Sequence, residues 1–485
     1  MNVYLNRELS WIEFNRRVLA EGLRKDLPPL ERLRFLSIVS SNFDEFFMVR
    51  MAGLKRSSGS SHTADPSGMS PAEQLAAAEA KIRPLLAELY QCLNGEIFPA
   101  LAAGGLEYIR PPYNDSDGEY LASYFVKEIF PVLTPLRFSL TEEENIPLLT
   151  NGRIYAAFLL YTEYSGSDPA GAARPERLVS IVEIPPVLDR VVFLSAGNTG
   201  DASSDVSGEV SSGGSDAANP AGGTSAGNNS GRTRWALLDD LLLSMGDLLF
   251  KGYGVEERML FLIHRDADFS VDERRDEDFI EAMEEVIAGR EHSPIVRMVY
   301  SPGSPRLKER ITGRLGLAEN DVYALDGPLN PGSLWGLIRI GGFDRLKAPR
   351  RNHYPHPAFP ADRSVWDCIK GGDILLALPY HSFDPVVRFF REAAEDPQVI
   401  SIKTALYRTS GDSPVIQALE KAALDGKHVT AVVELKARFD EERNINWAVR
   451  LEKAGVIVIY GLAQLKIHAK ISQVIRREPG GITRY

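Results

Sequence analysis

Apolar residues near the start of the chain recur at the spacing of an amphipathic helix. Trp11, Phe14 and Val18 follow an i, i+3, i+7 pattern, which favours a helix that buries one face. A second long helical stretch is predicted from Pro71 to Leu101. The pattern therefore predicts a helical N-terminal domain over residues 1–110.

Two polar residues, Asn42 and Asp44, interrupt this pattern between apolar neighbours. Asn and Asp are favoured at helix N-caps because their side-chain oxygens accept the free backbone N–H groups of the first turn. These residues alone therefore predict that a helix begins at Asn42 or Asp44.

The middle segment, 111–354, mixes strand and helix patterns. Strands are predicted at Arg153–Tyr161, Leu178–Glu183 and Arg258–His264. A helix is predicted from Asp272 to Arg290, with acidic residues in its first turns, where the helix dipole favours them. An α+β domain is therefore expected here.

Residues 195–233 interrupt this segment with a different composition. Val206 and Val210 are their only large apolar residues among Ser, Gly, Ala, Asn and Asp. Such a stretch buries too little apolar surface to offset its ordering entropy. It is predicted to be a disordered insertion within the domain.

From residue 355 onward, strand and helix patterns alternate. Strands are predicted at 373–378, 399–406, 429–435 and 456–460, and helices at 384–394, 413–424 and 441–454. Ser413 suits an N-cap, Pro414 suits a first turn and Gly426 suits a helix stop. Such alternation is typical of a parallel or mixed sheet covered by helices, so an α/β domain is predicted over 355–485.

Arg408, Arg438 and His468 lie at equal intervals of 30 residues. About thirty residues is the length of one strand–helix–strand repeat, so we expect all three at one edge of the sheet. In open α/β sheets, ligands bind beyond the carboxyl ends of the strands. Guanidinium groups suit phosphate oxygens, and an imidazole can act as a nucleophile. The spacing therefore favours the handling of phosphoryl groups.

Lys466, His468 and Lys470 alternate with apolar residues. On a strand all three side chains would point to one face. The two lysine ammonium groups would there disfavour the protonated form of His468, and they would neutralise the charge of a bound phosphate. The alternative for this segment is an exposed polar strand face without chemistry. The alternative for the arginines is a surface salt bridge with an acidic residue at 440–442.

Charge and composition narrow the function classes. The net charge is −11, yet residues 401–485 carry 14 Lys and Arg against 9 Asp and Glu, a balance of +5. This favours an anionic ligand in that part over general nucleic-acid binding. With only Cys92 and Cys368, a disulfide framework and a cysteine-based zinc site are excluded. Without a signal peptide or a membrane-length apolar run, the cytoplasm is the expected location.

Several stretches resemble the bacterial polyphosphate kinases that work through a phosphohistidine. In chain order these stretches are Leu9-Ser10-Trp11, Ser41-Asn42-Phe43-Asp44-Glu45-Phe46, Arg265-Asp266-Ala267-Asp268, Asp326-Gly327-Pro328-Leu329, Ser382-Phe383-Asp384-Pro385-Val386, Leu406-Tyr407-Arg408, Val433 to Glu441, and Leu465 to Lys470. The resemblance covers nearly the whole chain apart from the insertion. It implies a multidomain α/β protein: a helical domain over 1–110, a head domain over 111–354 and a phospholipase D-like domain over 355–485.

The resemblance also implies an activity and its site residues. The family transfers the terminal phosphate of ATP reversibly to inorganic polyphosphate, with Mg²⁺. By matching positions, His468 would become phosphorylated. Arg408 and Arg438 would clamp phosphate beside the magnesium, and Lys466 and Lys470 would contact phosphate. Asn42 would contact the nucleotide instead of capping a helix. A homo-oligomer is implied as well. Polymer length, preferred direction and peripheral membrane association stay open.

Two alternative functions stay open beside the kinase. Phospholipase D-like phosphodiesterases also use a histidine nucleophile in a His-x-Lys motif, but they keep an acidic residue five positions after the lysine, where this chain has Ile475. The family carries a second phospholipase-like domain, and this chain ends about where that domain would begin. We therefore expect a C-terminally truncated chain that lacks half its active site. A catalytically dead polyphosphate-binding remnant is the other alternative.

Overall fold

The computed structural model describes residues 4–58, 64–139, 146–162, 177–194, 232–268, 279–408, 413–435, 440–461 and 465–485, apart from the side chains at 279, 280, 282 and 286. The described residues form two compact units. Unit 1 contains those up to 268 and those from 289 to 349. Unit 2 contains 279–288 and those from 350 onward.

The described α-helices are α1 (Arg7–Leu23), α2 (Pro29–Phe46), α3 (Ala52–Ser58), α4 (Pro71–Cys92), α5 (Phe98–Ala103), α6 (Asp115–Tyr124), α7 (Leu238–Ser244), α8 (Gly246–Leu249), α9 (Phe279–Gly289), α10 (Pro305–Arg314), α11 (Trp335–Arg339), α12 (Val365–Ile369), α13 (Asp384–Glu395), α14 (Pro414–Leu424) and α15 (Glu441–Lys453). None of these helices is long and apolar enough to cross a membrane.

The described strands are β1 (Leu106–Tyr108), β2 (Pro135–Ser139), β3 (Ile154–Tyr161), β4 (Arg177–Glu183), β5 (Val191–Leu194), β6 (Thr233–Leu237), β7 (Gly254–Arg265), β8 (Ile295–Tyr300), β9 (Val322–Ala324), β10 (Val399–Leu406), β11 (His428–Val433), β12 (Ile457–Tyr460), β13 (Ser472–Glu478) and β14 (Gly481–Arg484). They form a three-stranded and a six-stranded sheet in unit 1 and a five-stranded sheet in unit 2.

The first part of unit 1 is helical, as its apolar periodicity predicts. Short π-helical segments continue α2 into α3 and α4 into α5. Helix α4 begins with a capping box between Ser70 and Glu73, and Pro71 occupies its first turn. Trp11 of α1 stacks on Phe46 of α2 with 4.4 Å between ring centroids, so the predicted apolar face is buried between the helices.

The sheets of unit 1 confirm the strand predictions for the middle segment. The six-stranded sheet has the order β2-β4-β3-β7-β8-β9, and the other has β1-β6-β5. Residues 195–231 of the predicted insertion, 195–233, lie outside the described residues. Its expected end at Thr233 was wrong, because Thr233 begins β6 and pairs with Leu106 of β1.

A buried carboxyl group, Asp240, lies at the start of α7 beside β1. The hydroxyl group of Tyr108 donates a hydrogen bond to it. Burial is the main cause that raises the pKa of Asp240 to about 6 from its ordinary 3.8, and the hydrogen bond from Tyr108 opposes this rise. The neighbouring Asp239 adds a further rise, although that carboxylate is itself paired with Arg190.

We expect Asp240→Asn to make the protein more stable above about pH 6. The unfolded chain loses the Asp240 proton at a lower pH than the folded chain does. Wild-type stability therefore falls between about pH 4 and 6 and stays lower above this window. The pKa difference corresponds to at most about 3 kcal/mol. Urea unfolding at about pH 4 and pH 7.5 measures the gain, which should be absent at the lower pH. An equal gain at both pH values would contradict this explanation.

Unit 2 is the α/β domain that the alternating pattern predicts. Its sheet has the order β12-β11-β10-β13-β14; β10, β11 and β12 are parallel, and β13 is antiparallel to β10. Helix α14 has Ser413 at its N-cap position and Pro414 in its first turn, and Gly426 follows with a positive φ of 83°. Buried residues of α13, α14, α15 and the sheet form one core, to which Met283 of α9 belongs.

One predicted strand of this unit, 373–378, is wrong. These residues are described without regular secondary structure. Leu375 is 86% exposed and Leu378 is 46% exposed, so the apolar run is not buried in the sheet. The backbone N–H of Ala377 donates to the Nδ1 atom of His381 at 2.9 Å, and this side-chain partner takes the place of a strand neighbour.

Candidate active site

Two parallel strands bring functional side chains to the same edge of the sheet in unit 2. Leu406, the last residue of β10, lies opposite Val433, the last residue of β11. Tyr407 and Arg408 follow β10 directly, and Glu434 follows β11. This edge lies beyond the carboxyl ends of parallel strands, which is where open α/β sheets bind ligands.

The segment that carries His468 reaches this edge from the opposite direction. Strand β13 is antiparallel to β10, with Ser472 opposite Thr404. The hydroxyl oxygens of these two residues lie 2.8 Å apart, and the backbone N–H of Ala405 donates to the carbonyl oxygen of Ile471 at 2.9 Å. The residues before Ser472 therefore lie beyond the carboxyl end of β10, at the edge that the 30-residue spacing predicts.

The strand expected around His468 is absent. Residues 466–471 have no regular secondary structure, and β13 begins only at Ser472. The backbone N–H of Ile467 donates to the Oε2 atom of Glu434 at 2.7 Å. A side chain thus binds this backbone in place of a neighbouring strand, so the basic residues here do not share a strand face.

Three basic side chains surround the ring of Tyr407. The rings of Tyr407 and His468 meet edge to face, with 5.4 Å between centroids. The Nζ atom of Lys470 lies 4.6 Å from the centre of the Tyr407 ring, and the Cζ atom of Arg408 lies 5.8 Å from it. His468, Lys470 and Arg408 are exposed, whereas Tyr407 is half-buried. The arrangement is a solvent-accessible imidazole with two cations that could attract an anionic substrate.

Arg408 forms the salt bridge that the sequence analysis kept as an alternative. Its Nε atom lies 2.9 Å from the Oδ2 atom of Asp440, and the Nη1 atom of Arg443 lies 3.3 Å from Oδ1 of the same carboxylate. The side chain of Arg408 remains 52% exposed. An ion pair this exposed contributes at most about 1 kcal/mol to stability. The contact therefore orients the guanidinium group and does not exclude a role in binding phosphate.

Two buried residues behind the edge were assigned no role from the sequence. Asn444 of α15 is fully buried, and its Nδ2 atom donates to the carbonyl oxygens of Tyr407 at 2.9 Å and of Glu434 at 3.0 Å. Glu434 is 1% exposed and accepts the N–H of Ile467. A sequence signal existed for Asn444, because it lies at i, i+4, i+7 spacing with the apolar residues Ala448 and Leu451.

The other predicted residues of this unit are not all placed at the site. Lys466 is exposed in the irregular segment, two positions before His468. Arg438 lies outside the described residues, in the stretch 436–439 between β11 and α15. The structure therefore brings together His468, Arg408 and Lys470, and the position of Arg438 beside them stays a prediction.

Asn42 belongs to unit 1 and lies inside α2, so the helix cap predicted at Asn42 or Asp44 is wrong. Its Nδ2 atom donates to the Oδ1 atom of Asn15 at 2.8 Å. Asn15 in turn donates to the carbonyl oxygen of Trp11 at 3.2 Å. Apolar residues before and after this position are packed in the core, which continues the helix through the polar interruption. The side chain of Asn42 is half-buried.

Asp44 connects α2 to the large sheet of unit 1. Its Oδ1 atom lies 3.2 Å from the Nε2 atom of His264 on β7 and 3.4 Å from the Nη1 atom of Arg297 on β8. Arg297 also lies over the ring of Phe47, 4.2 Å from its centre. Burial lowers the pKa of Arg297, and the charge of Asp44 opposes this shift. Asp44 therefore serves the packing of α2 on the sheet.

No cluster of three or more His, Cys, Asp or Glu side chains that could hold a metal ion occurs among the described residues. The carboxylate beside Arg408 belongs to Asp440, which already pairs with two arginines. Magnesium commonly binds through one or two carboxylates together with substrate phosphates. The described residues therefore fit a magnesium ion bound mainly by phosphate oxygens better than one held in a protein cage.

The fold and this site define a multidomain α/β protein with a histidine and cationic side chains at one sheet edge. Three family models match the chain: the polyphosphate kinase N-terminal domain over residues 4–109, the middle domain over 116–337 and C-terminal domain 1 over 364–485. The chain belongs to the polyphosphate kinase family.

Individual relatives and a solved structure agree with this assignment. The chain is 38% identical to a polyphosphate kinase of Bacillus cereus over 499 residues, covering 99% of this chain and 64% of that protein. It is 37% identical to polyphosphate kinase 1 of Chlorobaculum tepidum over 490 residues, covering 64% of that protein. The crystal structure of polyphosphate kinase from Porphyromonas gingivalis has the same fold, with a TM-score of 0.73, 24% identity, and coverage of 98% of this chain and 62% of that chain. The chain thus spans less than two thirds of the length of these relatives.

Proposed function

We propose that this protein transfers the γ-phosphate of ATP reversibly to inorganic polyphosphate, through a phosphohistidine at His468. The observation that carries the proposal is the exposed His468 ring beside Arg408 and Lys470 at the carboxyl edge of the sheet. Membership of the polyphosphate kinase family supports the choice of substrates. We also propose, from the family resemblance, that residues 355–485 form a phospholipase D-like domain and that the protein is a cytoplasmic homo-oligomer.

In the first step, a nitrogen lone pair of neutral His468 attacks the γ-phosphorus of ATP. A P–N bond forms while the P–O bond to ADP breaks, and ADP leaves with the electron pair. In the second step, the terminal oxygen of polyphosphate attacks the phosphohistidine, so the P–N bond breaks and the polymer grows by one phosphate. The imidazole returns to its starting form, and the reverse sequence makes ATP from polyphosphate.

The cationic side chains stabilise the charge that develops on the transferred group. Arg408 provides a planar fork of donors for phosphate oxygens, and Lys470 provides an ammonium group that also lies against the Tyr407 ring. We propose the same role for Arg438 and Lys466. Cationic side chains that are already in position lower the activation barrier of phosphate transfer, because these side chains need little reorganisation during the reaction.

We propose that Mg²⁺ is bound together with the ATP phosphates beside Arg408. When bound, the ion neutralises phosphate charge and orients the γ-phosphate. Arginine is not a ligand for a cation, so Arg408 and Arg438 would contact the phosphate oxygens next to it. From the family resemblance, Asn42 is proposed to contact the nucleotide; its half-buried side chain donates to Asn15.

The full-length enzyme incubated with γ-labelled ATP, Mg²⁺ and a short polyphosphate primer should lengthen the primer and release ADP. Labelled polymer measured on gels, with EDTA as the control, tests this directly. Cleavage of a phosphodiester without ATP would favour the phosphodiesterase instead. Tight polyphosphate binding without exchange of label between ATP and ADP would favour a binding protein.

A further inference from the structure

We infer that Glu434 is a positioning residue for His468, acting through the backbone of Ile467. This inference rests on the proposed function, in which His468 is the nucleophile. Glu434 is buried to 1% exposure at the end of β11, and its Oε2 atom accepts the N–H of Ile467 at 2.7 Å. Ile467 immediately precedes His468, so this hydrogen bond fixes the Lys466–Ile467 peptide unit, one residue before the Cα atom that carries the imidazole.

The segment of His468 is irregular and would otherwise lack strong constraints on its backbone. Residues 466–471 have no helix or strand, and His468 is exposed. On the C-terminal side, Lys470 Nζ donates to the carbonyl oxygen of His468 at 2.7 Å. Lys470 is itself exposed, whereas Glu434 is buried. Together with the backbone bond from Ala405 to Ile471, the buried carboxylate therefore attaches this segment to the sheet.

Asn444 links this attachment to the ring that contacts the histidine. Its amide donates to the carbonyl oxygens of both Glu434 and Tyr407. The Tyr407 ring meets the His468 ring. The buried amide of Asn444 therefore fixes Glu434, which holds the backbone beside His468, relative to Tyr407, which contacts the imidazole.

A buried carboxylate needs hydrogen-bond donors around it, and the N–H of Ile467 is one of those that Glu434 has. Burying a charged side chain is unfavourable unless hydrogen bonds compensate, and an apolar residue would pack at the end of β11 more cheaply. In this structure the Glu434 carboxylate accepts the N–H of Ile467, the residue before the proposed nucleophile. Displacing a reacting group by about 1 Å can reduce a rate by about a hundredfold, so this hydrogen bond has a direct consequence for transfer.

Two conservative substitutions separate positioning from charge. Glu434→Gln keeps the length of the side chain and an oxygen acceptor but removes the charge. Glu434→Asp keeps the charge but shortens the side chain, so it no longer reaches the N–H of Ile467. We expect Glu434→Asp to lower the kcat of phosphate transfer by about tenfold to a hundredfold with little change in the KM for ATP. We expect Glu434→Gln to retain most of the activity.

Hydrogen exchange at the Ile467 amide, resolved by fragmentation mass spectrometry, provides the readout that does not depend on activity. Exchange should be slow in the wild type and in Glu434→Gln, and fast in Glu434→Asp. Glu420→Asp is the matched control, because Glu420 is also largely buried but pairs with Arg450 of α15; it should change neither exchange at Ile467 nor kcat.

Three results would overturn the inference. In the first, Glu434→Asp keeps slow exchange at Ile467. In the second, Glu434→Gln loses activity while Glu434→Asp retains it, which would indicate an electrostatic role. In the third, both variants lose protection throughout unit 2, which would indicate a role in folding alone. If the wild type itself incorporates no phosphate, the proposed function fails, and the exchange measurement still decides whether Glu434 holds the segment.

Discussion

Replacing His468 with alanine is expected to reduce ATP-dependent phosphate transfer by more than about a thousandfold. In the proposed mechanism the substitution removes the nucleophile and with it the covalent route, which the neighbouring cations cannot replace. Because the His468 side chain is exposed, the fold should not change. Incorporation of phosphate from γ-labelled ATP into protein and into polymer measures both steps.

His428 supplies a matched control for this experiment. It is also an exposed histidine of unit 2, but it begins β11 and therefore lies at the opposite edge of the same sheet. His428→Ala should incorporate phosphate like the wild type. Labelling that persists in His468→Ala would contradict the assignment of the nucleophile.

Replacing Arg408 with alanine is the second large effect that we expect. A cation that stabilises a transferring phosphoryl group is commonly worth about a thousandfold in rate, so kcat should fall by about a hundredfold to a thousandfold. Arg408→Lys should restore only part of this loss, because an ammonium group lacks the planar fork of donors. Steady-state kinetics with ATP and polyphosphate measures both variants.

Arg450→Ala is the control for Arg408. The two arginine side chains are 51% and 52% exposed, and each pairs with a carboxylate. Arg450, however, lies on the helix α15 and not at the sheet edge. If Arg408→Ala loses no more activity than Arg450→Ala, the salt bridge with Asp440 is its whole role and the phosphate clamp is wrong.

Much of unit 2 could be predicted from the sequence because its elements are strongly periodic. The strand 399–406 has the predicted bounds, and Ser413, Pro414 and Gly426 mark the ends of α14 as expected. Local residue preferences and burial agree in these elements. Of the three residues at equal spacing, Arg408 and His468 reach the same sheet edge, while the place of Arg438 stays a prediction.

The local conformation of the site could not be predicted in the same way. Alternation of basic and apolar residues around His468 is also the pattern of a strand, and only the long-range bond from Ile467 to Glu434 shows why no strand forms there. The role of Asn444 likewise depends on two carbonyl oxygens distant in sequence. The residue preference of Asn42 favours a helix cap, but Asn42 lies inside α2, and no local signal in the sequence marks the helix that continues through it.

Locating the phosphate on the protein tests the phosphohistidine mechanism. The protein should be labelled with ATP, digested under mildly alkaline conditions and analysed by mass spectrometry, since phosphohistidine is lost in acid and kept in base. We expect one acid-labile phosphate, on His468, that disappears when polyphosphate primer is added. Polymer synthesis with the phosphate on another residue, or with no phosphoprotein formed, would contradict it.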